Sequence, residues 1–170
     1  MSILTILSQV AAIFNAAIAA GGLFISLSGV VIKALGKKSD QIKDNVTIII
    51  DFGTTSIEES VKRYVKAKDI DSTIFVCTNP KGFVHLDIND GDVWQEAVKG
   101  IYTFINAIVS DAPKRINIFM SAPAALAFSI GYVLRPNCTP YIYQFNQKRE
   151  GIADSDLYAM VLHVNDNLKG

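Results

Sequence analysis

Three short stretches carry residue types and spacings that could hold a ligand. Gly53-Thr54-Thr55-Ser56 follows an apolar run ending in Asp51-Phe52, and Ser121-Ala122-Pro123-Ala124-Ala125 follows a second run ending at Met120. Both stretches are small and polar enough for a phosphate or ribose to approach the backbone. Both also precede residues with helical spacing, whose first N–H groups and positive dipole end favour an anion. The third stretch lies after Tyr141, where Tyr143, Gln144, Phe145, Asn146, Lys148 and Arg149 mix aromatic faces with amide and cationic donors. That mixture suits a nucleobase and its phosphate. The expected ligand contacts are therefore Thr54, Thr55, Ser56, Ser121, Ala122, Pro123, Ala124, Gln144, Phe145, Lys148 and Arg149.

Nothing in the sequence specifies a reaction. There is no Ser/His/acid arrangement, HExxH helix or Walker loop, and Asp51 is the one acid expected near a strand end. Cys77 and Cys138 lack CxxC spacing, and His85 and His163 stand alone. No catalytic residue, metal site or cofactor is expected. With 16 basic and 16 acidic side chains the chain has no net field to draw it to duplex nucleic acid, so any contact with a polyanion must be local. Asp51-Phe52-Gly53-Thr54-Thr55-Ser56 resembles the first phosphate loop of the actin and Hsp70 ATPase superfamily. A capped helix follows at once instead of a second strand, and no second Gly-rich loop appears, which sets that resemblance aside.

The elements that must position these stretches follow from periodicity. Val46 to Phe52 is a continuous apolar run of strand length, the pattern of a strand covered on both faces. Ser56 and Glu59 read as a capping box for a helix with Ile57, Val61, Tyr64 and Val65 on one stripe. Thr73 to Thr78 and Phe83 to Ile88 predict a hairpin turning at Asn79-Pro80-Lys81-Gly82. Asp92 with Gln95 opens a helix reaching about Val109, with Val93, Ala97, Ile101, Phe104 and Ile108 inward. Arg115 to Met120 predicts a strand, and Ser121 an N-cap with Pro123 in the first turn of a helix ended by Arg135-Pro136. Tyr141 to Asn146 and Leu157 to Val164 predict the closing strands. This order predicts an α/β layered domain with a Rossmann-like core over residues 46–170.

Upstream the pattern changes. From Met1 to Ile32 there is no ionisable side chain, and Lys33 then opens a basic cluster with Lys37, Lys38 and Lys43. About 20 apolar residues suffice for a membrane helix. The lysines follow the run rather than precede it, unlike a signal peptide. The expectation is one transmembrane helix over residues 1–35, a basic linker over 36–45, and a single-pass protein of the cell inner membrane with its C-terminal domain in the cytoplasm. Thr5, Ser8, Ala12, Asn15, Ala19, Gly22, Ser26 and Gly29 fall on one stripe of small or polar residues. Small residues let membrane helices approach, so Ser8, Asn15, Gly22 and Gly29 are the expected contact between copies of a homo-oligomer. Ordinary membrane packing, or a helix buried in a soluble oligomer, are the alternatives.

A family resemblance covers the second half. Trp94 to Ile108, then Ile116-Asn117-Ile118-Phe119-Met120-Ser121-Ala122-Pro123-Ala124-Ala125-Leu126-Ala127, Gly131, Leu134, Tyr141-Ile142-Tyr143-Gln144-Phe145 and the late Tyr158 resemble the SAVED family. Its signature is a hydrophobic strand, a small-residue Pro turn, an alanine-rich helix with a glycine, and a strand ending in an aromatic. The resemblance implies a CARF-like fold and a sensor of cyclic oligonucleotides of the kind used in CBASS and type III CRISPR antiphage defence. SAVED normally holds two fused CARF-like halves and this chain has room for one, which implies that two copies build a site. The expected function is a membrane-anchored effector that binds a cyclic di-, tri- or tetranucleotide, oligomerises and permeabilises the membrane lipid, with no enzyme activity. A membrane-tethered enzyme that processes a nucleotide, or a scaffold without a ligand, are the alternatives.

Overall fold

The computed structural model describes residues 24–27, 30–35, 44–53, 55–79, 91–110, 113, 115–134, 140–145 and 151–163. They form a seven-stranded sheet of order β1-β2-β4-β3-β5-β6-β7. The strands are β1 (Phe24–Leu27), β2 (Val30–Leu35), β3 (Asn45–Asp51), β4 (Thr73–Thr78), β5 (Arg115–Ser121), β6 (Pro140–Phe145) and β7 (Tyr158–His163), with helices α1 (Glu58–Ala67), α2 (Gly91–Ser110) and α3 (Ala124–Leu134). The four central strands β4, β3, β5 and β6 are parallel, and antiparallel β2 and β7 flank them. This is the expected α/β Rossmann-like layered fold.

Strand β3 is central because it has no polar face to offer water. Val46, Ile48 and Ile50 pack with Ile116, Ile118, Phe104, Ile105 and Ile108 under α2, with Leu126 and Ile130 from α3. Ile49 packs on the opposite face with Val61, Tyr64 and Val65 of α1, and with Phe119, Tyr143 and Tyr158. Helices on both faces leave the parallel strands nearly continuous in hydrophobicity. Phe119 is the hub of the α1 face: its ring stacks on Tyr143 at 4.5 Å and meets Tyr64 and Tyr158 edge-on at 5.7 and 4.9 Å. At the opposite end of the strands Arg115 Nη2 donates to Tyr143 Oη at 2.7 Å and its Nε to Asn117 Oδ1 at 2.8 Å, so these buried polar groups are paired.

Two expectations are corrected. The apolar run was expected to be helical through Ile32, but Phe24–Leu27 and Val30–Leu35 are strands, paired to each other and, through β2, to β4. Ile32 is buried in the core. Apolarity alone does not separate a membrane helix from a buried strand; the β-branched run Val30-Val31-Ile32 favours the latter. Lys33 is likewise not a membrane collar, because its Nζ pairs with Glu58 Oε1 at 3.1 Å. Among the described residues no helix is long and apolar enough to cross a membrane. Ser8, Asn15, Gly22 and Gly29 lie outside the described residues. The second correction concerns the Thr73–Thr78 hairpin. Strand β4 has β2 on one edge and β3 on the other, so no edge of it is left for a partner from residues 83–88, which lie outside the described residues.

Removing the hub should be costly. Phe119→Ala is expected to lower stability by about 3–5 kcal/mol, read as a shift of the urea midpoint with unchanged slope. A loss below about 1 kcal/mol would mean that the aromatic cluster does not hold the α1 face.

Candidate nucleotide-binding site

Strand β3 leads through α1 to β4 on one side, and β5 leads through α3 to β6 on the other, with α1 and α3 on opposite faces of the sheet. The two connections diverge between β3 and β5, which makes the carboxyl ends of these strands the switch point where open α/β sheets hold ligands. Asp51 and Ser121 face each other there in register, and Phe52 N donates to Ser121 O at 2.7 Å. The switch point is thus lined by the two small-residue turns singled out in the sequence.

Gly53 is required by this closeness. A Cβ at position 53 would lie 2.1 Å from Ser121 Oγ and 3.3 Å from Ser121 Cβ. The two turns touch across the crevice, and only a residue without a side chain leaves Ser121 its place.

Asp51 organises the α1 side. Its Oδ2 accepts from Ser56 Oγ at 2.7 Å and from Ile57 N at 3.1 Å, tying the strand end to the start of α1. The expected capping box between Ser56 and Glu59 does not form. Ser56 Oγ accepts from Glu58 N at 3.2 Å, Glu59 pairs with Lys62, and Ile57 at the N-cap position makes no side-chain cap. Asp51, at the end of the preceding strand, ties the helix start instead. Its carboxyl is pushed above the usual aspartate range, chiefly by burial and further by Glu58, against the pull of the Ser56 and Ile57 hydrogen bonds. Glu58 behaves oppositely: burial would raise it, but the hydrogen bonds and charges of Lys62 and Lys33 bring it below the ordinary glutamate value.

The third stretch is divided by the pleat. Phe145 shares the α1 face with Tyr158, their ring centroids 5.3 Å apart, whereas Gln144 points to the other face. Tyr158 Oη lies 2.8 Å from Ser60 Oγ, and since Ser60 donates to Ile57 O, the tyrosine hydroxyl is the donor in that pair. Phe145 remains 45% exposed, an aromatic face at the mouth of the crevice. On the α1 face the structure therefore brings together Ser56, Ser121 and Phe145, with Ala122, Pro123 and Ala124 leading away to α3. Gln144 and Thr55 are exposed. Thr54, Lys148 and Arg149 lie outside the described residues.

The two helix starts differ in charge. Helix α1 has Glu58 and Glu59 in its first turn besides Asp51, while α3 has no acidic residue in its first turn and no charged residue at all. An anion entering the crevice therefore meets no acidic side chain of α3 itself at that helix's positive end. Among the described residues no three His, Cys, Asp or Glu side chains converge as metal ligands would. The arrangement can bind an anionic, aromatic ligand; it offers no paired acid and base.

Residues 25–158 match the model of the SAVED domain, described as the SMODS-associated and fused to various effectors sensor domain. This chain belongs to the SAVED family. The fold is also that of a solved SAVED/CARF-domain-containing receptor, Acinetobacter baumannii Cap4 in complex with the cyclic trinucleotide 3′3′3′-cAAA, with a TM-score of 0.56 at 13% identity over 92% of this chain. The chain spans 36% of that receptor's length. No curated protein matches it in sequence. The SAVED match begins at Ile25, within the strands that the sequence reading assigned to the membrane, and the family is one of sensor domains rather than enzymes.

Sequence reasoning gave Asp51 only a negative role, as an unpaired acid. Its signal was present nonetheless: a lone charge closing an otherwise apolar run, Val46-Thr47-Ile48-Ile49-Ile50-Asp51.

The contact at the switch point is testable without a ligand. Gly53→Ala is expected to cost about 1–3 kcal/mol through overpacking, and a Gly53→Ala/Ser121→Ala double variant to recover at least about 1 kcal/mol of that, read as coupling in a denaturation cycle. Additive losses would separate the two turns.

Proposed function

We propose that this domain senses a cyclic oligonucleotide at the β3–β5 switch point. The observation that carries this reading is the meeting of two small-residue turns beside an uncharged helix N-terminus, in a chain of the SAVED family. A phosphate lies against Ser121 to Ala124 and the start of α3, with Thr54, Thr55 and Ser56 on the facing turn. Phe145 stacks a base, Gln144 supplies an amide, and Lys148 or Arg149 pairs with a phosphate. The cyclic trinucleotide on the Cap4 receptor supports the ligand class. Calorimetry of the whole chain against cyclic di-, tri- and tetranucleotides tests it. Binding of at least one, lost in Ser121→Trp and weakened about 10- to 100-fold in Arg149→Ala, is expected, since a charge-assisted hydrogen bond contributes about 1.5–3 kcal/mol. Full affinity in both folded variants would place the site elsewhere.

The same proposal assigns the uncharged residues 1–23 to the membrane, with the sensor domain on the cytoplasmic side of the inner membrane. The sheet begins at Phe24, and the preceding residues still exceed the roughly 20 needed to cross. Ligand binding gathers copies, and a seam through Ser8, Asn15 and Gly22 then compromises the lipid bilayer as an antiphage effector; Gly29, flanked by β1 and β2, is no part of it. Each polar contact in such a seam contributes about 0.6–2 kcal/mol, which becomes effective once a bound domain concentrates the helices. Asn15→Leu and Gly22→Leu should leave nucleotide binding and membrane fractionation intact while abolishing toxicity during messenger production. Undiminished toxicity in both would end the seam.

A further inference from the structure

Asp51 is 2% exposed, and its two oxygens are unequal. Both lone-pair directions of Oδ2 are used, by Ser56 Oγ and Ile57 N. Oδ1 is buried and has no hydrogen-bond partner among the described residues. A buried carboxylate oxygen left this way is costly, because nothing replaces the water it lost. We propose that Asp51 carries a proton on Oδ1 while the crevice holds its ligand, and that nucleotide affinity is therefore linked to this proton.

Among the described residues no cation pairs with Asp51 to hold it ionised. From α1 the nearest charge is Glu58, of the same sign. Lys33 of β2 and Lys62 of α1 are both committed to Glu58, and Arg63 of α1 pairs with Asp154 at 3.3 Å. From β7 comes the Tyr158 hydroxyl, itself buried and pushed above its ordinary titration range by that burial, with Asp51 adding to the shift. The register neighbours on β4 and β5 are Thr78 and Ser121, which do not titrate. Among the described residues only the Ser56 hydroxyl and the Ile57 N–H just ahead of α1 favour the charge, and both act on Oδ2. Burial raises the carboxyl accordingly.

The ligand class adds the second half of the case, and the inference rests on the cyclic-oligonucleotide reading. A phosphodiester brought to Ser121 meets Asp51 in the adjacent register position. An ionised Asp51 there repels it in a site shielded from water, where the interaction is strong; a neutral one does not. The protonated carboxyl keeps Oδ2 as acceptor, so the tether to α1 survives protonation. Asp51 is thus a positioning and proton-holding residue, poised so that loss of its proton weakens the hold on an anion. The sign for folding is the same: a carboxyl raised in the folded state stabilises fully at low pH, and that contribution is lost as pH rises through its folded titration.

Calorimetry of the whole chain with 3′3′3′-cAAA and the other cyclic oligonucleotides, from pH 5 to 8.5, reads the linkage. The native protein should lose up to about tenfold in affinity per pH unit above the Asp51 midpoint and take up protons on binding in buffers of differing ionisation enthalpy. Asp51→Asn, neutral at every pH and still able to accept at Oδ1, should bind at least as tightly as the native protein at low pH, without pH dependence. Affinity that rises with pH, or a folded Asn variant that binds as poorly as Asp51→Ala, would overturn the proposal and assign an ionised carboxylate to a ligand donor. If no cyclic oligonucleotide binds the native chain, the sensor reading falls on its own. The Asp51 carboxyl carbon, titrated by NMR against the Asn variant, then decides the proton separately: a midpoint at the ordinary aspartate value refutes it.

Discussion

Strand β3 has no solvent face. Val46 through Ile50 are fully buried, with α2 and α3 over one side and α1 over the other. A shift of one residue against β4 or β5 would exchange the two surfaces and drive the side chains cut for one helix layer into the other. That constraint locks the parallel ladders in register, and with them the levels at which β3 and β5 stop. Asp51 and Ser121 are level because the core upstream admits no other pairing. The crevice is therefore a by-product of core packing, and its dimensions are fixed far from any ligand.

On that frame the site is electrically lopsided. The α1 side is acidic, its strand end tied down through Asp51 Oδ2 and its Lys33 and Lys62 paired with glutamates. The α3 side is small, uncharged and open. An anion is accordingly directed to one lip of the crevice, while the aromatic pair Phe145 and Tyr158 furnishes an apolar shelf beside it. The aromatic cluster under that shelf, with Phe119 stacked on Tyr143, makes it rigid. On the proposed reading, a ligand's phosphate faces the small uncharged lip and its base the aromatic shelf.

Much of this was legible in the sequence. The strands β3 to β7, the three helices and both small-residue turns follow from periodicity, prolines and glycines, because these local signals agree with the tertiary fold. Three things were not legible. Val30 to Ile32 closes a long apolar run, and which partner covers such a run is decided by the distant strand β4. Ser56 and Glu59 match a capping box, yet the Asp51 carboxylate outside the helix takes the Ser56 hydroxyl and the Ile57 N–H, while Glu59 pairs with Lys62. The pairing of Gly53 with Ser121 depends on parallel register between strands widely separated in sequence, which no local pattern encodes.

The capture of residues 24–35 by the sheet has a mechanical consequence. Phe24 pairs with Lys33 of β2, and β2 pairs with β4, so the sheet begins at Phe24. A pull on Phe24 along the strand axis loads the β1–β2 ladder in shear, the geometry in which several hydrogen bonds share the force rather than opening one after another. From β2 the load passes through β4 to β3, whose end carries Asp51. Displacement at Phe24 and displacement at the end of β3 are thus joined through one continuous set of strand ladders.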